Sequence, residues 1–194
     1  MIPKVHKAPW GWRPIMPSPS SPMARFSKVA DIALSKLLPR FPHLICSTAE
    51  WCHAFYKGYA ARDPAKKCWL ITGDIFAYYT NINTETINRS MEVLLRGSRM
   101  PDARAAALAW LVKTTTHNHL FEVNDKDLFR QTNGLAMGTL CSGTVANLSL
   151  ARREKRVIGR QGILAYVRFI DDLFLLLEGT KVEVRHILRE VSEA

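Results

Sequence analysis

Apolar and polar positions along this chain follow two periods, and the switch between them predicts the elements. Residues 1–22 carry six of the ten prolines, which fix extended or turning backbone, so strands over 2–5 and 13–16 with a loop at 8–11 are expected. Val29, Ile32, Ala33, Lys36 and Leu37 recur at helical spacing until Pro39, predicting a helix over 27–38 with that apolar face. Ser47 or Thr48 can cap a second helix over 49–59. Cys68–Thr72 reads as a short apolar strand with Asp74 just beyond it. Helices are predicted over 84–95, capped by Asn83 or Thr84, and over 101–115, with Ala105, Leu108, Ala109, Leu111 and Val112 inside. A hairpin of 120–123 with 128–130 follows, then helices over 141–156 and 180–191.

Between those two helices, Tyr166 to Leu177 is a β-rich apolar run interrupted by Asp171-Asp172. Neighbouring strand residues point to opposite faces, so two acids inside a buried strand would bury at least one charge. A tight turn with both carboxylates at its tip avoids this. Such a tip is either a polar turn between core strands or a metal site. Asp74 at a strand end is open to the same two readings: a terminating turn, or chemistry at a sheet edge.

Composition narrows the partners. The chain has 194 residues and a formal net charge of +10, enough length for one domain or somewhat more, and a charge that fits a polyanion such as nucleic acid. The basic N-terminal arm, with Lys4, Lys7 and Arg13 interleaved with Trp10 and Trp12, is a contact surface for nucleic acid or an arm with two core tryptophans. Cys46, Cys52, Cys68 and Cys141 are scattered without a CxxC, which gives neither a zinc ribbon nor a disulfide framework and points to an intracellular, reducing compartment. No apolar run reaches membrane-spanning length, so no membrane partner is expected. His117 and His119 read as local structure rather than metal ligands. Gln131 to Gly138 places glycines ahead of a helix, where backbone can approach a phosphate; a plain loop fits as well. Arg152, Arg153, Lys155 and Arg156 form a basic patch or a solvated helix end.

In order, these pieces resemble a reverse transcriptase over nearly the whole chain. Asp74-Ile75-Phe76-Ala77-Tyr78-Tyr79 looks like the first palm aspartate motif, Gln131 to Gly138 like the Gly-containing loop, and Phe169-Ile170-Asp171-Asp172 like the aromatic-x-Asp-Asp hairpin. Pro3-Lys4 with Arg13-Pro14-Ile15 looks like the fingers motif. Pro3-Lys4-Val5-His6-Lys7, Tyr79-Thr80-Asn81-Ile82, Ala146-Asn147 and Arg168 before the Asp-Asp hairpin look most like the Penelope-like branch, a relative of telomerase.

The resemblance implies an α+β fold: a polymerase palm, with an antiparallel sheet, an Asp-Asp hairpin and helices packed on one face, plus a partial fingers subdomain. It implies fingers over 1–68, palm over 69–194, and a missing thumb. It implies two Mg²⁺ ions, or Mn²⁺ in their place, held by Asp74 and Asp171 with Asp172 in support. Lys4 and Arg13 would meet the triphosphate, Tyr79 would lie under the sugar and select deoxynucleotides, and Gln131 would touch nucleotide or template. Gly134, Gly138, Arg152, Arg153, Lys155 and Arg156 would face nucleic acid. The implied partners are an RNA template and DNA primer, or a large structural RNA, with a second polypeptide supplying a thumb. Two functions follow: an RNA-directed DNA polymerase core, or a repurposed non-catalytic RNA-binding subunit of a ribonucleoprotein. A primer-independent nucleotidyltransferase is a third.

Overall fold

The computed structural model describes residues 2–4, 11–13, 15, 21–117, 119–123 and 127–193. In chain order these form β1 (Ile2–Lys4), β2 (Gly11–Arg13), α1 (Ala24–Ser35), a 3-10 turn at Leu38–Arg40, α2 (Thr48–Ala60), β3 (Cys68–Asp74) and the short α3 (Tyr78–Asn81). Then come α4 (Thr84–Arg96), α5 (Asp102–His117), β4 (Leu120–Val123), β5 (Asp127–Arg130), α6 (Ser142–Glu154), β6 (Ile163–Phe169), β7 (Asp172–Glu178) and α7 (Lys181–Glu193). No described helix is long and apolar enough to cross a membrane. The elements pack as two compact units, one of Met1–Lys36 with Ala77–Ala146, the other of Leu37–Phe76 with Asn147–Ala194. This division reflects packing and leaves the fingers–palm boundary at residue 68 as an expectation.

In the first unit β1 and β2 pair antiparallel, with Ile2 opposite Arg13 and Lys4 opposite Gly11. The arm residues 5–10, including Trp10, and the hairpin tip 124–126 lie outside the described residues. α5 packs against both α4 and α1, burying Leu34, Ile87, Met91, Leu95, Leu108 and Val112. Asn83 caps α4 as expected, its Oδ1 accepting from the Glu85 and Thr86 amides at 2.8 and 3.2 Å. α1 corrects the sequence reading. Val29 and Ile32 are exposed at 58% and 53%, while Ser27, Ala30 and Leu34 form the buried face. Two polar contacts turn the helix this way. The Ser27 hydroxyl accepts from the Cys141 amide at 3.0 Å, and Asp31 accepts from the Thr144 hydroxyl at 2.5 Å. His117 donates to the Lys113 carbonyl at 2.8 Å and its Nε2 lies 3.1 Å from Asn88 Nδ2, while His119 lies 3.4 Å from the Thr139 hydroxyl.

The second unit is built on an antiparallel sheet in the order β3-β7-β6. Tyr166, Leu175 and Leu177 share one face with Trp69 and Ile71, and Val184 and Ile187 of α7 close that core. α2 runs against β6, where a Cβ on the buried Gly58 would come 2.8 Å from the Leu164 carbonyl oxygen. Leu173 and Leu175 face the core, so Phe174 between them faces the other way and meets Trp51 of α2 edge-on at 5.9 Å. The Asp-Asp hairpin also differs from expectation. Phe169 pairs with Asp172, so the turn is Ile170–Asp171 and only Asp171 sits at the tip. Asp172 opens β7 and is exposed at the end of the sheet, where its charge keeps its water without a turn.

Candidate active site

β3 ends on Asp74 and β7 begins on Asp172, and the register sets them directly opposite each other. Opposed residues in an antiparallel pair leave the same face with Cβ atoms about 4.5–5.5 Å apart. Phe169, opposite Asp172 on the other side, shares that face and is 40% exposed. Two like charges so placed repel each other unless a cation lies between them. Asp171 stands beside them in the turn. Its carbonyl accepts from the Ile75 amide at 2.9 Å, tying the turn to the end of β3. Ile170 has φ 57°, a left-handed conformation that a β-branched residue rarely adopts. Positive φ at the first of two turn residues is the type II′ pattern, in which Gly is usual. The strain is on the order of 1–3 kcal/mol, and it persists only where the surroundings hold it.

Beneath this turn lies a buried polar cluster; the sequence names Arg168 and Asn147 only as details of a family likeness and does not point to Glu154 or His43. Arg168 is completely buried. Its guanidinium forks onto Glu154, with Nε to Oε1 at 2.5 Å and Nη2 to Oε2 at 2.9 Å. Tyr166 donates its hydroxyl to Glu154 Oε1 at 3.0 Å, and His43 Nε2 lies 3.0 Å from Oε2. Burial opposes the charge on Glu154, but the hydrogen bonds from His43 and Arg168 and the Arg168 charge hold its pKa below the usual carboxylate value. The signal available in the sequence was an arginine inside an apolar strand. Its partner lies 14 residues away on another element, which no local pattern reveals.

A cavity of about 510 Å³ runs along this region, lined in part by Asp74, Ile71, Glu154, Tyr166 and Leu188. A second, of about 410 Å³, opens on the other face, where Phe169, Asp172, Phe174 and Trp51 bring aromatic rings beside a carboxylate. Among the described residues, no group of three His, Cys, Asp or Glu is arranged to hold a metal. The opposed acids at the sheet end are still a fitting donor set for Mg²⁺, which binds through one or two carboxylates and completes its shell with water and substrate phosphate.

The remaining sequence candidates lie in the first unit or on α6. Tyr79 is half-buried in α3, and its carbonyl accepts from the Leu135 amide at 2.6 Å. Gly134 is buried with φ +79°, and a Cβ there would stand 2.8 Å from the Tyr79 carbonyl oxygen. The space left by its missing side chain is filled by the protein's own backbone. Gln131 folds back, its Nε2 donating to the Asn133 carbonyl at 2.8 Å, while its buried Oε1 has no partner. Asn133 Oδ1 accepts from the Thr84 amide at 3.3 Å. The loop 131–138 is therefore stitched to Tyr79 and to the start of α4. Gly138 is exposed with φ +114°. Lys4 and Arg13 lie on the paired strands β1 and β2 of this unit. Arg152, Arg153, Lys155 and Arg156 are all exposed around the end of α6, with Lys155 Nζ 4.6 Å from the centre of the Phe41 ring.

No protein-family model and no curated protein matches the chain. Solved structures do. Telomerase from Candida albicans, in complex with a TWJ fragment of telomeric RNA, superposes with a TM-score of 0.65 at 12% identity, covering 89% of this chain and 32% of that one. Telomerase from Candida tropicalis truncated from its C-terminal domain gives 0.64 at 12% identity, covering 88% and 36%. The apo telomerase from Candida tropicalis gives 0.65 at 10% identity, covering 88% and 34%. The chain thus spans about a third of each telomerase chain it matches. At such identities the likeness is one of fold. The fold is α+β and palm-like.

Proposed function

We propose that this chain is the core of an RNA-directed DNA polymerase, which adds deoxynucleotides to a primer 3′-hydroxyl on an RNA template. The observation that carries the reading is the carboxylate arrangement: Asp74 and Asp172 opposite each other on neighbouring strands, with Asp171 in the adjoining turn. It lies in a fold shared with telomerase, one of whose structures holds RNA. Motif details favour the Penelope-like branch of the family. The site would work intracellularly, with a second polypeptide supplying a thumb.

Asp74 and Asp171 would hold two Mg²⁺ ions, or Mn²⁺, with Asp172 in support. When bound, the ions supply activation of the 3′-hydroxyl and neutralisation of the leaving pyrophosphate. The chain's residues do the rest. Lys4 and Arg13 would pair with triphosphate oxygens, Arg13 by a fork. The Tyr79 ring would lie under the sugar and exclude a 2′-hydroxyl. Gln131 carries a buried oxygen without a partner, an acceptor suited to a donor on nucleotide or template. Gly138, Arg152, Arg153, Lys155 and Arg156 would lie along nucleic acid, with Gly134 acting through the loop it packs.

The test is primer extension on poly(rA) with oligo(dT) and Mg²⁺. Asp74→Asn and Asp171→Asn should each lower the rate on the order of 10²–10³-fold or more. Equal extension by wild type and both variants sinks the reading. RNA binding without Asp-dependent extension would favour a non-catalytic RNA-binding subunit instead.

A further inference from the structure

Arg168 places a full charge inside an apolar strand, at a position with no exposure to water. Its pair with Glu154 is satisfied on every side, yet a buried ion pair adds little net stability over an apolar core of the same volume. The third arm of the guanidinium does something an apolar residue could not. Nη1 donates to Asn147 Oδ1 at 2.8 Å and to the Ile170 carbonyl at 2.8 Å, while Nη2 reaches the Asn147 carbonyl at 3.1 Å. The Ile170 carbonyl belongs to the peptide group that leads into Asp171. The peptide group that leaves Asp171 is held by the Ile75 amide at 2.9 Å. Both peptide planes flanking Asp171 therefore carry a fixed donor, and together they set the direction of its Cα–Cβ bond.

The Arg168 backbone is anchored as well. Its amide donates to the His43 carbonyl at 2.8 Å, and its carbonyl accepts from the Ile45 amide at 3.0 Å. His43 returns to the cluster through its ring on Glu154. This surrounding frame holds Ile170 in a conformation it would not choose by itself.

We propose that the buried Glu154–Arg168 pair is a positioning device for the Asp171 carboxylate. Glu154, oriented by His43 and Tyr166, fixes the guanidinium, and the guanidinium fixes the Ile170–Asp171 peptide. The proposal rests on the polymerase reading for what Asp171 does, though not for how it is held.

The test uses the whole chain. Arg168→Lys keeps the charge but lacks the planar fork that reaches Glu154 and the Ile170 carbonyl together. The double variant Glu154→Gln with Arg168→Met removes the clamp without leaving a buried charge unpaired, so folding is preserved if the single variant fails to fold. Two readouts are taken: kcat and KM for dTTP on poly(rA)–oligo(dT), and hydrogen exchange at the Ile75 amide, which is protected only while the Asp171 carbonyl is in place. The expected result is a kcat lower by about 10–10²-fold, with KM within about twofold. Ile75 exchange should be at least about tenfold faster, with amides at the Cys68 end of β3 unchanged. Wild-type Ile75 exchange in both variants overturns the proposal, whether or not kcat falls, because the turn has then not moved. Faster Ile75 exchange with wild-type kcat overturns it too. If the wild-type chain itself does not extend primer, the polymerase reading fails; Ile75 exchange still decides whether the pair holds the turn.

Discussion

Ile170 shows how much of this site depends on single residues. Its φ of 57° is a cost that glycine would not bear, whereas glycine would lose the half-buried side chain. These terms are each about 1–3 kcal/mol and opposite in sign, so Ile170→Gly should change the melting temperature by no more than about 8 °C. A thermal melt checks this, and a drop above about 10 °C would show that the turn is not strained. Glu154 sets a pH dependence. Its folded pKa is lowered, so its contribution to stability is complete above the ordinary carboxylate value and is lost as pH falls through the folded pKa. Denaturation midpoints of wild type should therefore fall from below about pH 4.5 more steeply than those of Glu154→Gln. Parallel curves would remove Glu154 as the cause. The sequence shows Arg168 as a charge in an apolar strand, but only folding brings Glu154, His43 and Asn147 around it.

At the scale of elements, the helices and hairpins were mostly legible because each is set by neighbours a few residues apart. α1 was the exception, since two stripes of it have helical spacing and the sequence cannot say which is buried. The choice fell to Ser27 and Asp31, whose partners come from residues 141 and 144. α7 carries a capping box that the sequence displays as Thr180-x-x-Glu183. The Thr180 amide and hydroxyl both donate to Glu183, and these bonds lower the Glu183 pKa. Thr180→Ala should lower the melting temperature by about 2–4 °C, measured by circular dichroism. The loop 131–138 is more sensitive. Gly134→Ala would force a Cβ against the Tyr79 carbonyl at a positive φ, so its backbone cannot yield cheaply. A melting temperature lower by about 5 °C or more is expected, and an unchanged value would refute the close packing.

At the scale of the whole molecule, the proposed nucleic-acid binding carries a salt dependence: a net charge of +10 and an exposed cluster at Arg152, Arg153, Lys155 and Arg156 would make such affinity fall steeply with salt. Replacing Arg152 and Arg153 by Ala should weaken binding to poly(rA) for any base composition. The slope of log K against log salt should fall by about 1 for each phosphate that is no longer neutralised. Fluorescence anisotropy across a salt series reads this, and an unchanged slope would take those arginines off the nucleic acid.

Local pattern suffices for the order and type of most elements and for the apolar strands that frame Asp74 and Asp171-Asp172. These depend on periodicity, capping and turn chemistry, all of which act over a few residues. Folding in three dimensions sets the register that puts Asp74 opposite Asp172, the turn that leaves Asp171 alone at the tip, and the buried Glu154–Arg168 pair beneath it. The register and the ion pair join residues on separate elements, and the turn takes its form from the contacts around it; long-range packing and the burial of charge select one arrangement among several that local patterns allow equally.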